Sequence, residues 1–190
     1  MGANDQKTFL EVWPTNAAYN IAPDSVTVAA ALTDYPNQLG VRRYTQESRG
    51  RCGYALRFNN SGSTIPYKSV ISLGVDGQSC LLNATASLPW TSFGGVVQTE
   101  CYVNGVLHAT GVPTGYWFWA QVEGPTEVIA DTGGLVAGSP CYGDTDAASG
   151  VMDGSTAITT VALASAVVGR CIDTVAAAAT GTVLLGRAGG

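Results

Sequence analysis

From Asn59 onward the chain repeats one pattern, short apolar runs separated by clusters of glycine, asparagine, serine and aspartate. That alternation predicts an all-β fold. The strongest run is Thr114-Gly-Tyr-Trp-Phe-Trp-Ala-Gln-Val-Glu-Gly124. Read with a period of two, Tyr116, Phe118, Ala120 and Val122 fall on one face, and Trp117, Trp119, Gln121 and Glu123 on the other. Aromatic and β-branched residues suit a pleated surface, so the segment is a strand. Both faces carry large rings. One can fill a core; the other needs a second core, a covering segment or another subunit.

The same pattern predicts strands at 41–44, 54–58, 68–75, 79–83 and 94–103, with a return at 106–109 after the hairpin signal Asn104-Gly105. A further run follows at 127–130, and Asp131-Thr-Gly-Gly134 reads as a boundary. Residues 135–190 repeat the plan in shorter form. Val167-Val-Gly-Arg-Cys-Ile172 parallels Gly95-Val-Val-Gln-Thr-Glu-Cys101, and Thr180-Gly-Thr-Val-Leu-Leu-Gly186 parallels Thr114-Gly-Tyr-Trp-Phe-Trp119. The alanine runs at 162–166 and 176–179 favour helix by propensity, against the surrounding β pattern. The expected architecture is therefore small β-barrel or sandwich units, two related β modules in tandem. An extended N-terminal arm takes residues 1–40, a main β domain 41–133, and a smaller C-terminal module packed on it 134–190.

The arm is broken by Trp13-Pro14, Ala22-Pro23 and Tyr35-Pro36. It carries Phe9, Leu10, Val12, Trp13 and Tyr19, apolar anchors that a purely solvated tail does not need. It reads either as a loosely packed leader or as an arm laid over a neighbouring subunit.

Composition sharpens this picture. Charged residues are 12% of the 190, about half the usual share. A chain with so little charge is expected to hide surface against partners. The net charge of −5 argues against nucleic acid as a partner. Yet five of the nine basic residues, Arg42, Arg43, Arg49, Arg51 and Arg57, crowd into 41–58. This stretch is either a solvated hairpin or a docking patch for an acidic protein surface. No run of about 18 apolar residues predicts a membrane span. The start, residues 1–7, lacks a signal-peptide core, so synthesis in the cytoplasm is expected. The five cysteines are odd in number and form no Cys-x-x-Cys, which fits free buried thiols.

Chemistry is sparse. His108 is the sole histidine, and on an amphipathic return strand it reads as structural. Asp144, Asp146 and Asp153 hint at calcium, but their loop lacks the sixth-position glycine and twelfth-position glutamate of an EF-hand, and aspartates in such turns serve turn geometry. Phosphate-loop and dinucleotide signatures are missing. No catalytic, cofactor-binding or metal residue is assigned.

With the aromatic strand and the C-terminal segments in view, the chain resembles a head decoration (capsid cement) protein of tailed bacteriophages. The segments that carry this are Val112-Pro-Thr-Gly-Tyr-Trp-Phe-Trp-Ala-Gln-Val-Glu-Gly-Pro125, Leu135-Val-Ala-Gly-Ser-Pro-Cys-Tyr142, Val168-Gly-Arg-Cys-Ile172 and Thr180-Gly-Thr-Val-Leu-Leu-Gly186. The resemblance spans roughly 94–186; it leaves 1–60, including the basic stretch, unmatched. It implies a non-enzymatic β protein without a cofactor, which binds the major capsid protein on the virion exterior as an oligomer, a trimer or else a dimer. On that basis Trp13, Trp117 and Trp119 are expected subunit contacts, and Arg42, Arg43, Arg49 and Arg51 expected capsid contacts. The alternatives are a carbohydrate-binding sandwich whose exposed tryptophans stack on sugars, another minor virion protein of the tail or spike base, or a small β-fold hydrolase.

Overall fold

The aromatic run becomes the first part of one long strand, β8 (Trp117–Leu135), and the other strands are arranged along it. The computed structural model describes residues 42–47, 50–74, 79–84, 88–98, 102–103, 106–107, 110–144, 149–154 and 158–186. The expected N-terminal arm lies outside them. Before β8 come β1 (Arg42–Glu47), β2 (Gly50–Asn59), β3 (Val70–Leu73), β4 (Ser79–Leu82), β5 (Phe93–Val97), β6 (Tyr102–Val103) and β7 (Val106–Leu107). After it come β9 (Pro140–Asp144), β10 (Val151–Gly154), helix α1 (Val161–Ala166), β11 (Gly169–Cys171) and β12 (Thr180–Leu185). The fold is all-β. Propensity prevails at the first alanine run, where the Thr160 side chain caps α1 by accepting from Leu163 N. At the second run, tertiary pairing wins: Val175 bridges Leu135, and a turn follows.

β8 is longer than ordinary strands because it serves two closed barrels in succession. In the first barrel β2 pairs parallel with β4, β4 antiparallel with β3, β3 with β5, β5 with β8, and β8 closes back onto β2. In the second, β8 pairs parallel with β10, then β10 with β9, β9 with β11, β11 with β12, and β12 closes back onto β8. The two rings share one connectivity, with β2, β3, β4, β5 and the start of β8 standing for the rest of β8, β9, β10, β11 and β12.

The match extends to register. Phe58 opposes Trp117 as Ile129 opposes Thr180, and Leu56 opposes Trp119 as Glu127 opposes Thr182. Outside the strands, the bridge Ile65 to Val112 is repeated as Leu135 to Val175. Gly115 N donates to Asn59 O at 2.9 Å, and Ala178 N donates to Ala130 O at 3.1 Å. The tandem modules expected from sequence are present. The parallels drawn there joined β5 to β11 and β12 to β8; the register aligns Gly95, not the valines after it, with Gly169. The proposed boundary at 133/134 falls inside β8.

Each barrel fills its own interior. Ile65, Ile71, Cys80, Val97, Val112, Phe118 and Ala120 form the first core. The second gathers Val128, Ala130, Leu135, Cys141, Met152, Cys171, Val183 and Leu185, and it is continuous with Val70 and Val96 from the other side of the first barrel's strands and with Leu88 from the segment between β4 and β5. The barrels thus pack as one body.

Duplication also explains two strained residues. Among the described residues, the non-glycine positions with left-handed backbone are Lys68 (φ 66) and Ala178 (φ 57). Their counterparts in the other barrel are Gly138 (φ 85) and Gly115 (φ 81). Ala178→Gly is therefore expected to stabilise the chain by roughly 0.5–1 kcal/mol in denaturant unfolding, because the strain removed exceeds the entropy added to the unfolded chain. Gly169→Ala should do the reverse. Its Cβ would lie 2.1 Å from Leu184 O, a backbone atom that cannot yield cheaply, so a loss of about 3 kcal/mol or more is expected in the same assay.

Candidate functional site

The basic stretch folds as the β1–β2 hairpin at the end of the sheet. Its pairs run from Arg42 with Ala55 and Arg43 with Tyr54 to Glu47 with Gly50. Among the described residues, β1 pairs only with β2 and adds to the outside of the first barrel. The Tyr44 ring lies over Gly53, where an added Cβ would meet Tyr44 Cε1 at 2.9 Å. The exposed Arg51 guanidinium lies over that ring in turn, 4.1 Å from its centroid. Such a cation–π layer holds an arginine pointing outward in a defined orientation. Arg49 lies outside the described residues. Arg57 does not join the patch: it is buried, and its Nε donates to Gly94 O at 3.0 Å.

The tryptophans require a correction. Trp117 and Trp119 are both 0% exposed within the single chain, so neither ring offers surface to a second subunit. Trp117 meets Phe58 edge to face, with ring centroids 5.3 Å apart. By strand alternation Leu56, Phe58, Trp117 and Trp119 lie on the face turned away from the first core, and that face is buried as well. In the second barrel the equivalent positions are Glu127, Ile129, Thr180 and Thr182. Nearby, Ile172 just after β11 and Leu184 on β12 are exposed, Leu184 opposite Arg170. Trp13 lies outside the described residues.

One grouping was missed from sequence. Asp131, Asp144 and Asp153 are all buried, and their carboxylate oxygens lie within 4.8 Å of one another. Strand pairing assembles them. Tyr142 opposes Asp153 and Asp144 opposes Val151, which puts Tyr142, Asp144 and Asp153 on one face of β9–β10. Met152 opposes Ala130, which brings Asp131 alongside. The Tyr142 hydroxyl donates to Asp153 Oδ2, and Gly133 N donates to Asp131 Oδ1 at 2.9 Å. Three such carboxylates provide oxygen ligands suited to a hard divalent cation. Asp146, the third residue suggested by sequence, lies outside the described residues. Asp131 had marked only a boundary. The first barrel has Leu81 where the second has Asp153, so only an alignment of the two modules hints that the charge is unusual there.

Cys52, Cys80, Cys141 and Cys171 are buried thiols outside any disulfide, as expected. Cys171 Sγ donates to Gly154 O at 3.8 Å, inside the same apolar cluster as Cys141. A hydrogen bond from Cys141 to Cys171, and then burial, push the Cys141 thiol well above its ordinary pKa; the same bond holds Cys171 below it, against the effect of burial. His108 and Cys101 lie outside the described residues.

Because the two rings are interior, Trp119→Ala is expected to cost about 3–5 kcal/mol of stability. The mass of the remaining folded species by light scattering should not change. A shift in oligomeric state at undiminished stability would overturn the buried assignment.

No protein-family model matches the chain, and no curated protein matches it. Among solved structures it is similar to the head fiber gp8.5 N base of bacteriophage phi29, with 13% identity and a TM-score of 0.44 over 77% of this chain and 95% of that one.

Proposed function

We propose that this chain is a non-enzymatic structural protein of a tailed-phage virion, which binds the outer surface of the head as an oligomer and stabilises it. The observation that carries this reading is the basic hairpin. In a chain of net charge −5, four arginines lie within 42–51, and Arg51 is held outward over Tyr44. Such a patch suits an acidic protein surface, which arginine engages through paired hydrogen bonds. The partner is the major capsid protein, and Arg42, Arg43, Arg49 and Arg51 make the contact. The sequence resemblance over 94–186 supplies the viral context. Oligomerisation, as a trimer in preference to a dimer, lets individually weak contacts add by avidity over a repeating shell. The carbohydrate-binding alternative loses its platform, since Trp117 and Trp119 are buried.

Co-sedimentation with expanded heads that lack this protein tests the reading. Wild-type chain is expected to pellet with the heads, and less so as salt rises, because exposed charges are screened over about 10 Å at 0.1 M. The double variant Arg43→Glu/Arg51→Glu should bind at least tenfold more weakly while its unfolding midpoint stays close to wild type. Equal binding by the variant would remove the hairpin from the interface. Absence of wild-type binding would sink the reading itself. Light scattering at several concentrations reads the oligomer directly.

A further inference from the structure

We propose that Cys141 and Cys171 are the two halves of a redox staple, which closes to a disulfide inside the second barrel when the chain meets a low-molecular-weight disulfide. The placement comes from the strands. Cys141 on β9 opposes Gly169 on β11, so no side chain faces it directly. Cys171 is two residues along β11, and its N donates to Ser139 O at 2.8 Å. Cys171 is therefore the diagonal neighbour of Cys141, and both sulfurs enter the same buried cluster. An added Cβ on Gly154 would lie 2.1 Å from Cys171 Sγ, so that glycine leaves the sulfur its room.

The duplicated fold supplies an internal control. The first barrel has Ile71 opposite Gly95, and Val97 two residues along β5, both inside its core. Two ordinary hydrophobes satisfy packing at those positions. The second barrel puts a thiol in each of them, and the thiols touch through a hydrogen bond. Bond formation needs the sulfurs to close to about 2.05 Å and the Cβ atoms of this diagonal pair to come within about 4.5 Å, so β9 and β11 must draw together at this point.

The chemistry balances with oxidised glutathione as the oxidant. The Cys171 thiolate, favoured by the hydrogen bond from Cys141, attacks one glutathione sulfur; the glutathione S–S bond breaks and one glutathione thiolate leaves. Cys141 then loses its proton and attacks Cys171 Sγ, displacing the second glutathione. The protein gives up two electrons and two protons, and one oxidised glutathione becomes two reduced ones. Local opening of the barrel admits the oxidant, since both thiols are buried in the closed form.

The full chain is incubated with oxidised glutathione at temperatures up to its unfolding midpoint, then denatured, alkylated and digested without reductant. A peptide pair joining Cys141 to Cys171 is expected, with an intact mass lower by about two mass units. The bond closes a loop of about 30 residues (141 to 171), so Tm should rise by roughly 5–10 °C and fall back on reduction. The variant Cys52→Ser/Cys80→Ser/Cys101→Ser, which keeps only this pair, should behave alike, and Cys141→Ser should form no link. Continued alkylation of both thiols, a stable glutathione adduct alone, links to other cysteines in their place, or a linked chain with no gain in Tm would each overturn the proposal.

Discussion

Everything in this fold depends on one strand being long enough to finish one ring and begin another. The start of β8 supplies the last wall of the first barrel, and its continuation supplies the first wall of the second. The handover occurs at Glu123 and Gly124. Glu123 still opposes Gly53 on β2, and Gly124 already opposes Leu185 on β12. Gly124 has φ 92, and an added Cβ would lie 2.4 Å from Arg51 O, so the strand changes partners at a residue that only glycine can fill without strain. Hydrogen bonding forces the arrangement. A barrel leaves no ladder unpaired only if it closes, and each module has four strands of its own besides the stretch it takes from β8.

Closure determines what remains for the surface to do. With both rings sealed, β1 stands outside the first ring, paired only with β2 among the described residues, and beside it Arg51 faces outward. The two modules have then diverged on their outer walls. One carries Leu56, Phe58, Trp117 and Trp119, all buried; the other carries Glu127, Ile129, Thr180 and Thr182 at the same register positions, and three buried aspartates further round. A shared backbone plan thus carries unlike side chains on the two outer walls, while both interiors stay apolar.

Much of this plan was legible in the sequence. Turn clusters marked the strands, because glycine and asparagine punctuate β structure whatever the tertiary context. The similarity of 167–172 to 95–101 and of 180–186 to 114–119 pointed to the correct strand pairs. Three things were not legible. Alternation showed that Trp117 and Phe118 lie on opposite faces, but with rings on both it carried no information on which face is covered. The parallel pairings of β2 with β4 and β8 with β10 join segments separated in sequence by one intervening strand, and no local signal marks them. Asp131 meets Asp144 and Asp153 only through that second parallel pairing, so their spacing along the chain says nothing of their proximity.

The shared strand has a mechanical consequence. Two domains joined by a flexible linker respond to tension by extending the linker first, and either can come apart while the other survives. Here the connection is itself a hydrogen-bonded wall of both rings, and Val70, Leu88 and Val96 belong to the same apolar cluster as the second interior. A pull on one ring is passed through the continuous backbone of β8 into the other. The molecule has no slack segment between its halves, and it yields to force as a single object.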